Sequence, residues 1–533
     1  MIMNGSYEYA PAETAEETES AFKNFETVFA WLCILFGYLF CRAFPASASP
    51  IGFVLVSLIV FAATAVILKL KGARFGLLTI PVLVSVLAAN VGILLTGEKT
   101  LIALALIWTC AAYNYFVYVS MGNELEKGFS DLVLMDFLRA VIILPFSSLI
   151  QLFKAAFSGK RNGKTVLSVL LGVALTIIPT ALVASNLSYD KSFTEIMRNL
   201  FDFDFGEVLS HIGSLLLGVA VAMYVFGLYY ASTRKVCENV ITKDGCRKAS
   251  EKIRIAPVIT VLVAVLPLLA LYGIFFFSQW ENYVSAFSKT LPSGFSYAEY
   301  AREGFFELCS VSAINLGVLA LIALFMKREN KIENIVLKVI SVVFSLCTLV
   351  LIATALSKMF LYIEKYGMTP KRIGTTWFMF TLAVVFVLII IKQFAKNIKL
   401  VCASVLVCVL MFSVFCLFGY DKFIADYNVD KYISGDLDTV DVRSLIDLGD
   451  PAVPALFRLA EYYDGQNGTD IKESVLSPAD EIILASSEPY KLIVRNFKAK
   501  RYTYGDVSFF DRNVPYYLAR FEFSSRSLLA EEK

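Results

Sequence analysis

The sequence predicts an all-α, polytopic membrane protein, and three observations carry that expectation. Hydrophobic residues make up 57% of the 533-residue chain, and its mean hydropathy is +0.67, above the usual balance of a soluble domain. The apolar residues gather into runs of near membrane-spanning length between residues 25 and 420. Lys and Arg collect in every second gap between those runs.

A hydrocarbon core about 30 Å thick needs roughly 20 apolar residues in a helix, because backbone groups in lipid must bond within the segment. About eleven stretches approach that length: Phe25–Phe44, Pro50–Leu70, Phe75–Thr96, Thr100–Ser120, Thr165–Asn186, Leu209–Tyr230, Ala256–Ser278, Gly304–Met326, Asn334–Met359, Gly374–Lys392 and Ile398–Tyr420. They are too long and too continuous for the alternating strands of a barrel. The domain organisation follows: residues 1–24 as an acidic disordered lead-in, 25–420 as the transmembrane domain, and 421–533 as a small, mainly helical extramembrane domain. With five Glu and one Lys, residues 1–25 are the opposite of a signal peptide's basic start.

Charge distribution sets the expected orientation. Lys69, Lys71 and Arg74 follow the second run, and Lys160, Arg161 and Lys164 precede the fifth. Residues 231–255 hold seven basic and three acidic residues, whereas 187–208 hold five acids and two bases. Positive-inside bias then places the amino terminus in the cytoplasm and the carboxyl terminus outside. Leu132–Phe157 is apolar but interrupted by Arg139, Pro145, Gln151 and Lys154. If it crossed, every later loop would change sides, so parity favours a re-entrant or interfacial helix over residues 132–157. One gap dissents: Lys358, Lys365, Lys371 and Arg372 fall on the outer side, with only Glu364 against them.

From Asp421 the composition is that of a soluble domain. Val440, Leu445 and Leu448, then Gly449-Asp450-Pro451, then Val453, Leu456 and Leu459 read as a helical hairpin of HEAT type. Gly449 suits a helix end, Asp450 an N-cap and Pro451 a first helical position. One such unit cannot bury its own face, so it must pack on other tail helices or on the membrane domain. A second helix pair is expected from Pro478 to about Lys500. The closing aromatics, Tyr502, Tyr504, Phe509, Phe510, Tyr516, Tyr517, Phe521 and Phe523, read as core plus anchors near lipid headgroups.

The chain has one histidine, His211. That excludes paired-His zinc or haem sites and the HExxH signature, and leaves a structural histidine at the membrane interface as its simplest role. Cys237 and Cys246 share a loop but lack His partners, so no metal and no cofactor are expected. Asp202-Phe-Asp204 looks superficially like a metal-holding glycosyltransferase pair, yet the first external loop, Arg42 to Ser49, carries no acid. No phosphate-cradling loop is present and no nucleic-acid partner is expected.

The candidate site lies at the outer ends of the later runs. Glu299, Glu303 and Glu307 recur every four residues on one helix face, with Tyr297 and Tyr300 nearby and Arg302 on the adjoining face. Stacked like charges invite a cation, a basic partner or a raised carboxyl pKa. Lys365, Arg372 and Trp377 share the same side, and the opposite charges could lock the neighbouring helices or hold a polar ligand or headgroup. Asn315, near mid-span, requires a hydrogen-bond partner on another helix.

The strings Tyr297–Leu308, Tyr366-Gly-Met-Thr through Arg372 to Trp377-Phe-Met, Tyr420-Asp-Lys and Tyr427-Asn-Val-Asp-Lys-Tyr resemble a bacterial multi-pass membrane family, domain of unknown function 4173, akin to 4153. The resemblance spans roughly residues 160–520 and implies an inner-membrane protein without supplying an activity. Three readings follow: a non-enzymatic envelope-associated sensing or interaction protein with an outward-facing polar site, a transporter of a small polar solute or lipid, and an enzyme acting on lipid or lipid-linked substrate through Glu303 or Glu307. The expected partners are the bilayer and, through the tail, an envelope protein or a lipid headgroup.

Overall fold

The computed structural model describes residues 12–43, 49–157, 172, 183, 205–236, 240–278, 305–327, 330–395, 397–467, 470–476, 487–504 and 512–528. Among them every extended regular element is a helix, with one isolated bridge between Ala256 and Met326. Among the described residues nine helices are long and apolar enough to cross a membrane, and the shorter Thr79–Leu95 is apolar as well. These ten coincide with ten of the eleven predicted runs; the remaining run, Thr165–Asn186, lies outside the described residues.

Helix α1 runs over Ala12–Ala43. It starts inside the segment expected to be a disordered lead-in, because Ala12, Ala15 and four Glu among residues 12–20 are strong helix formers. Then follow α2 (Pro50–Leu70), α3 (Thr79–Leu95) and α4 (Lys99–Ser120). The interrupted segment becomes α5 (Val133–Leu138), a π-helical turn over Arg139–Ile143, α6 (Leu144–Ser147) and α7 (Gln151–Ala156). Further on come α8 (Phe205–Thr233), the short polar α9 (Lys243–Ile253), α10 (Val258–Ser278) and α11 (Phe305–Phe325). Helices α12 (Lys331–Tyr366), α13 (Pro370–Phe394) and α14 (Leu400–Leu417) complete the bundle. On α10 the side chains of Ile259, Val263, Leu266, Ile274 and Phe277 face outward, a distribution suited to lipid rather than water.

Contacts between helix ends define two faces. On the basic face, Glu26 at the start of the first span pairs with Arg234 at 3.0 Å and Lys71 at 3.8 Å. Lys243 pairs with Glu126 at 3.0 Å, and the amide of Val401 donates to Asp131 at 2.9 Å. Both ends of the broken segment meet this face: Asp131 precedes α5, and the carbonyl of Ala155 in α7 accepts from Thr27 at 2.8 Å. At the opposite end of α1, Tyr38 and His211 share a 2.8 Å hydrogen bond. The histidine thereby ties α1 to α8.

Close approach rather than hydrophobic exclusion holds helices together in lipid, so small residues mark the contacts. A Cβ on Gly37 would lie 2.0 Å from the carbonyl oxygen of Gly218, and one on Gly218 would lie 2.6 Å from the amide of Tyr38. Helices α1 and α8 therefore cross backbone to backbone.

After Gly419, at φ +56°, the tail begins with α15 (Tyr420–Ile433) and α16 (Val442–Asp447). A 3-10 turn (Asp450–Ala452) leads into α17 (Val453–Asn467), followed by α18 (Ile471–Leu476), α19 (Glu488–Thr503) and α20 (Val514–Ser525). The hairpin's break falls at Gly449, at φ +80°, as its lack of a Cβ permits. Asp450 does not serve as a backbone N-cap: its carboxylate takes the ammonium of Lys500 and the hydroxyl of Tyr504 instead. The tail core centres on Phe457, Phe497 and Phe523, whose rings lie 4.2–5.2 Å apart.

Gly218→Val is expected to destabilise the bundle by about 1–3 kcal/mol through overpacking. Gly213→Val is the control, since nothing lies within 4 Å of a Cβ there. Thermal melting in detergent separates the two; equal melting temperatures would refute the crossing.

Candidate functional site at the tail seat

The tail rests on two inter-helix loops, α3–α4 and α12–α13, and its first helix supplies the side chains that hold it there. Asp421, with 0% exposure, points into the α3–α4 turn. Its Oδ2 accepts from the hydroxyl of Thr96 and from the amide of Gly97, the latter at 2.9 Å. The amide of Glu98 donates to the Thr96 oxygen at 3.1 Å, which fixes that hydroxyl. Glu98 itself caps α4 through Leu101 at 2.6 Å and takes the hydroxyl of Tyr420 at 3.2 Å. Gly97 leaves room for the tail: a Cβ would sit 3.1 Å from the Leu448 carbonyl oxygen and 3.3 Å from Pro451. Asn513 closes the seat by donating to the Thr96 carbonyl at 3.2 Å.

On the second loop, Asn428 reads the backbone of Met368 in both directions, accepting from its amide at 2.6 Å and donating to its carbonyl at 2.9 Å. Gly367 adopts φ +74°, and a Cβ there would meet the Asn428 side-chain oxygen at 2.5 Å. Both facts require glycine.

The candidate residues divide accordingly. Lys365 pairs with Asp438 of the tail at 2.6 Å. Arg372 donates to the carbonyls of Tyr366, at 3.1 Å, and Gly367, and its guanidinium lies 4.0 Å from the centre of the Tyr362 ring. It thus caps α12 and stiffens the loop that Asn428 reads. Trp377 donates to the Met411 carbonyl at 3.0 Å, and its ring continues through Phe415 to Tyr420 at the tail's start. Asn315 stands apart and buried, accepting from Tyr272 at 2.5 Å and donating to Thr348 at 2.9 Å, so one side chain ties α10, α11 and α12. Glu307 is exposed in the first turn of α11. Tyr297, Tyr300, Arg302 and Glu303 lie outside the described residues, as do Glu299 and the Asp202–Asp204 pair.

Sequence reading missed Thr96, Gly97, Asp421, Asn428 and Asp438 as a group. Asp421 and Asn428 stood in the quoted strings Tyr420-Asp-Lys and Tyr427-Asn-Val-Asp-Lys-Tyr, so the signal existed without a partner to interpret it. A second buried polar centre was seen only as an interruption. Tyr118 donates to Asp136 at 2.6 Å and accepts from Arg139 at 3.0 Å, while the Leu125 amide also reaches Asp136 at 2.9 Å. Arg139 further donates to the Asn123 carbonyl at 3.3 Å, and Asn123 donates to that of Ser232 at 3.1 Å. This centre fastens the broken segment to α4 and α8. Among the described residues no group of three or more His, Cys, Asp or Glu is placed to hold a metal.

Nine helices long and apolar enough to span a membrane among the described residues, with a helical tail seated on the α3–α4 and α12–α13 loops, mark a multi-pass helical membrane protein. The chain belongs to the family described as Domain of unknown function (DUF4153), which matches residues 33–459. This corrects the resemblance to domain 4173 in favour of its relative, and extends it: the match takes in the first spans and stops within α17, rather than covering residues 160–520. Neither a curated protein nor a solved structure matches the chain.

Burial pushes the Asp421 carboxyl above the ordinary carboxylate range, opposed by the bonds from Thr96 and Gly97. An acid with a raised folded-state pKa contributes stability that is fully present below the ordinary carboxylate range and lost as pH rises through its folded value. Tail docking is therefore expected to tighten on acidification across that window, and Asp421→Asn to flatten the response. Limited proteolysis of the full chain against pH measures this; an unchanged pH profile in the variant would contradict it. Asn428→Ala is expected to weaken docking by about 1–3 kcal/mol by stranding two backbone groups of Met368, seen as faster tail cleavage.

Proposed function

We propose that the protein is a non-enzymatic, envelope-associated sensing or interaction protein of a bacterial inner membrane, whose tail presents a partner-binding surface held in register by the membrane domain. The observation that carries this reading is the seat. Lys365 pairs with the tail, Arg372 and Trp377 brace the loop and helix beneath it, and Asp421 and Asn428 complete the attachment. The outer polar groups that could have lined a substrate site thus act as a mount. Two loops joined by one domain couple α3–α4 to α12–α13, so a change in either pair of helices would be transmitted to the tail.

The tail has a face suited to the bilayer. On α20, Val514, Tyr517, Leu518 and Phe521 follow helical spacing and are all exposed, while Tyr516, Ala519 and Phe523 fill the tail core. Because Asn513 bonds at the end of α3, this outward stripe would lie beside the outer headgroups and anchor the tail there. In this reading the tail hairpin serves as a single HEAT-like unit braced by its neighbours. About eleven helices cross, the amino terminus is cytoplasmic and the tail is external. The segment 132–157 enters and leaves by the basic face as a re-entrant element, supported by the contacts of Asp131 and Ala155 with that face.

Two experiments test the reading. In an otherwise cysteine-free chain, a lone thiol at Cys246 is expected to resist an impermeant reagent applied from outside, and Lys472→Cys to react. The opposite pattern would invert the topology. In a strain lacking the protein, Asn428→Ala and Lys365→Glu are expected to fail in restoring function, while Glu307→Gln restores it. Loss with Glu307→Gln and full activity with the seat variants would favour an enzyme or transporter instead.

A further inference from the structure

A large cavity lies away from the tail, between the first and last groups of helices, and holds about 1530 Å³. That exceeds the roughly 300–1,000 Å³ of a small-molecule pocket. Its deep end is apolar, walled by Trp108 and Ala112 of α4, Leu316 and Ala320 of α11, and Val405 and Phe412 of α14. Several of its polar and charged residues come from the basic-face ends of their elements. Thr242 opens α9 and Arg254 closes it, while Lys392 and Gln393 occupy the last turn of α13. The cavity is therefore polarised along the membrane normal, apolar inward and polar at the face that collects the bases.

Three charged residues line it: Asp131, Arg254 and Lys392. Asp131 is engaged by the Val401 amide at the start of α14, and Lys392 donates to the Ile398 carbonyl at 2.6 Å. Arg254 differs: its Nε is buried with no hydrogen-bond partner, and among the described residues its guanidinium makes no hydrogen bond or ion pair. A buried guanidinium donor without an acceptor is costly, and its planar fork suits a phosphate.

We propose that this cavity binds an anionic phospholipid, acyl chains between α4, α11 and α14 and phosphate on Arg254. This goes beyond the tail-seat reading and does not depend on it. Cavity shape supplies affinity for the chains, and Arg254 supplies the preference for a negatively charged headgroup. The amphipathic α9, with Thr242 capping it through Gly245 at 3.1 Å, forms the lip at which the headgroup meets water.

Native mass spectrometry of the full chain in mild detergent tests this, with dioleoyl phosphatidylglycerol and dioleoyl phosphatidylcholine as probes. The wild type is expected to bind phosphatidylglycerol at least about tenfold more tightly. Arg254→Gln should erase that preference while retaining lipid, and Arg254→Lys should restore part of it. Ala320→Trp, which fills the apolar end, should lose both lipids with its melting temperature preserved. Excess inorganic phosphate should leave the lipid bound; displacement would point to a free-anion site and overturn the proposal. Equal selectivity in wild type and Arg254→Gln would overturn it as well, whether or not Ala320→Trp folds.

Discussion

A carboxylate withdrawn from water demands donors within reach, and Asp421 finds them on Thr96 and Gly97. That requirement orders much of the rest. The α3–α4 turn must present a hydroxyl and an amide to the same point, which Glu98 arranges by capping α4 and anchoring Thr96. Gly97 must be small, because the Leu448 carbonyl and Pro451 close over it. Gly419 must turn the chain through a left-handed conformation so that α15 starts with Asp421 facing inward. Once these are satisfied, Asn428 falls seven residues along the same helix, on the face that reads Met368. The continuous apolar cluster running from Phe53 and Leu101 through Cys416 and Tyr420 to Phe457 records the outcome: membrane domain and tail share one core.

The membrane domain uses different physics. Lipid offers little drive for one helix to cover another, so packing relies on close approach and on buried polar links. The glycine crossing of α1 with α8, the Asn315 bridge among three helices, and the Tyr118 centre over Asp136 and Arg139 each serve this end. Breaking such a buried charged centre costs about 3–5 kcal/mol, which makes the π-helical segment a fixed element despite its irregular backbone.

Much of the fold was legible in the sequence because lipid imposes a single rule, internal satisfaction of the backbone, and long apolar runs announce it. The polar links were half legible. Asn315 read correctly as a residue needing another helix, since a mid-span amide has few alternatives. Lys365 and Arg372 stood out in the sequence as a basic gap requiring explanation, with glutamates on the same predicted side as one answer. Among the described residues their partners include Asp438, seventy-three residues on, and backbone carbonyls, which carry no sequence signature. Arg254 was invisible for a related reason: one base among seven in a basic loop looks solvated until the others are seen to be paired or exposed.

The central claim is that Asp421 and the α3–α4 turn act as a unit in mounting the tail. A double-mutant cycle measures it, combining Thr96→Val with Asp421→Ala in the full chain and reading tail release by protease susceptibility. The account predicts a coupling energy of about 0.5–3 kcal/mol, the double variant being scarcely worse than Asp421→Ala alone. Strictly additive effects would show that the two residues act independently and would contradict the seat.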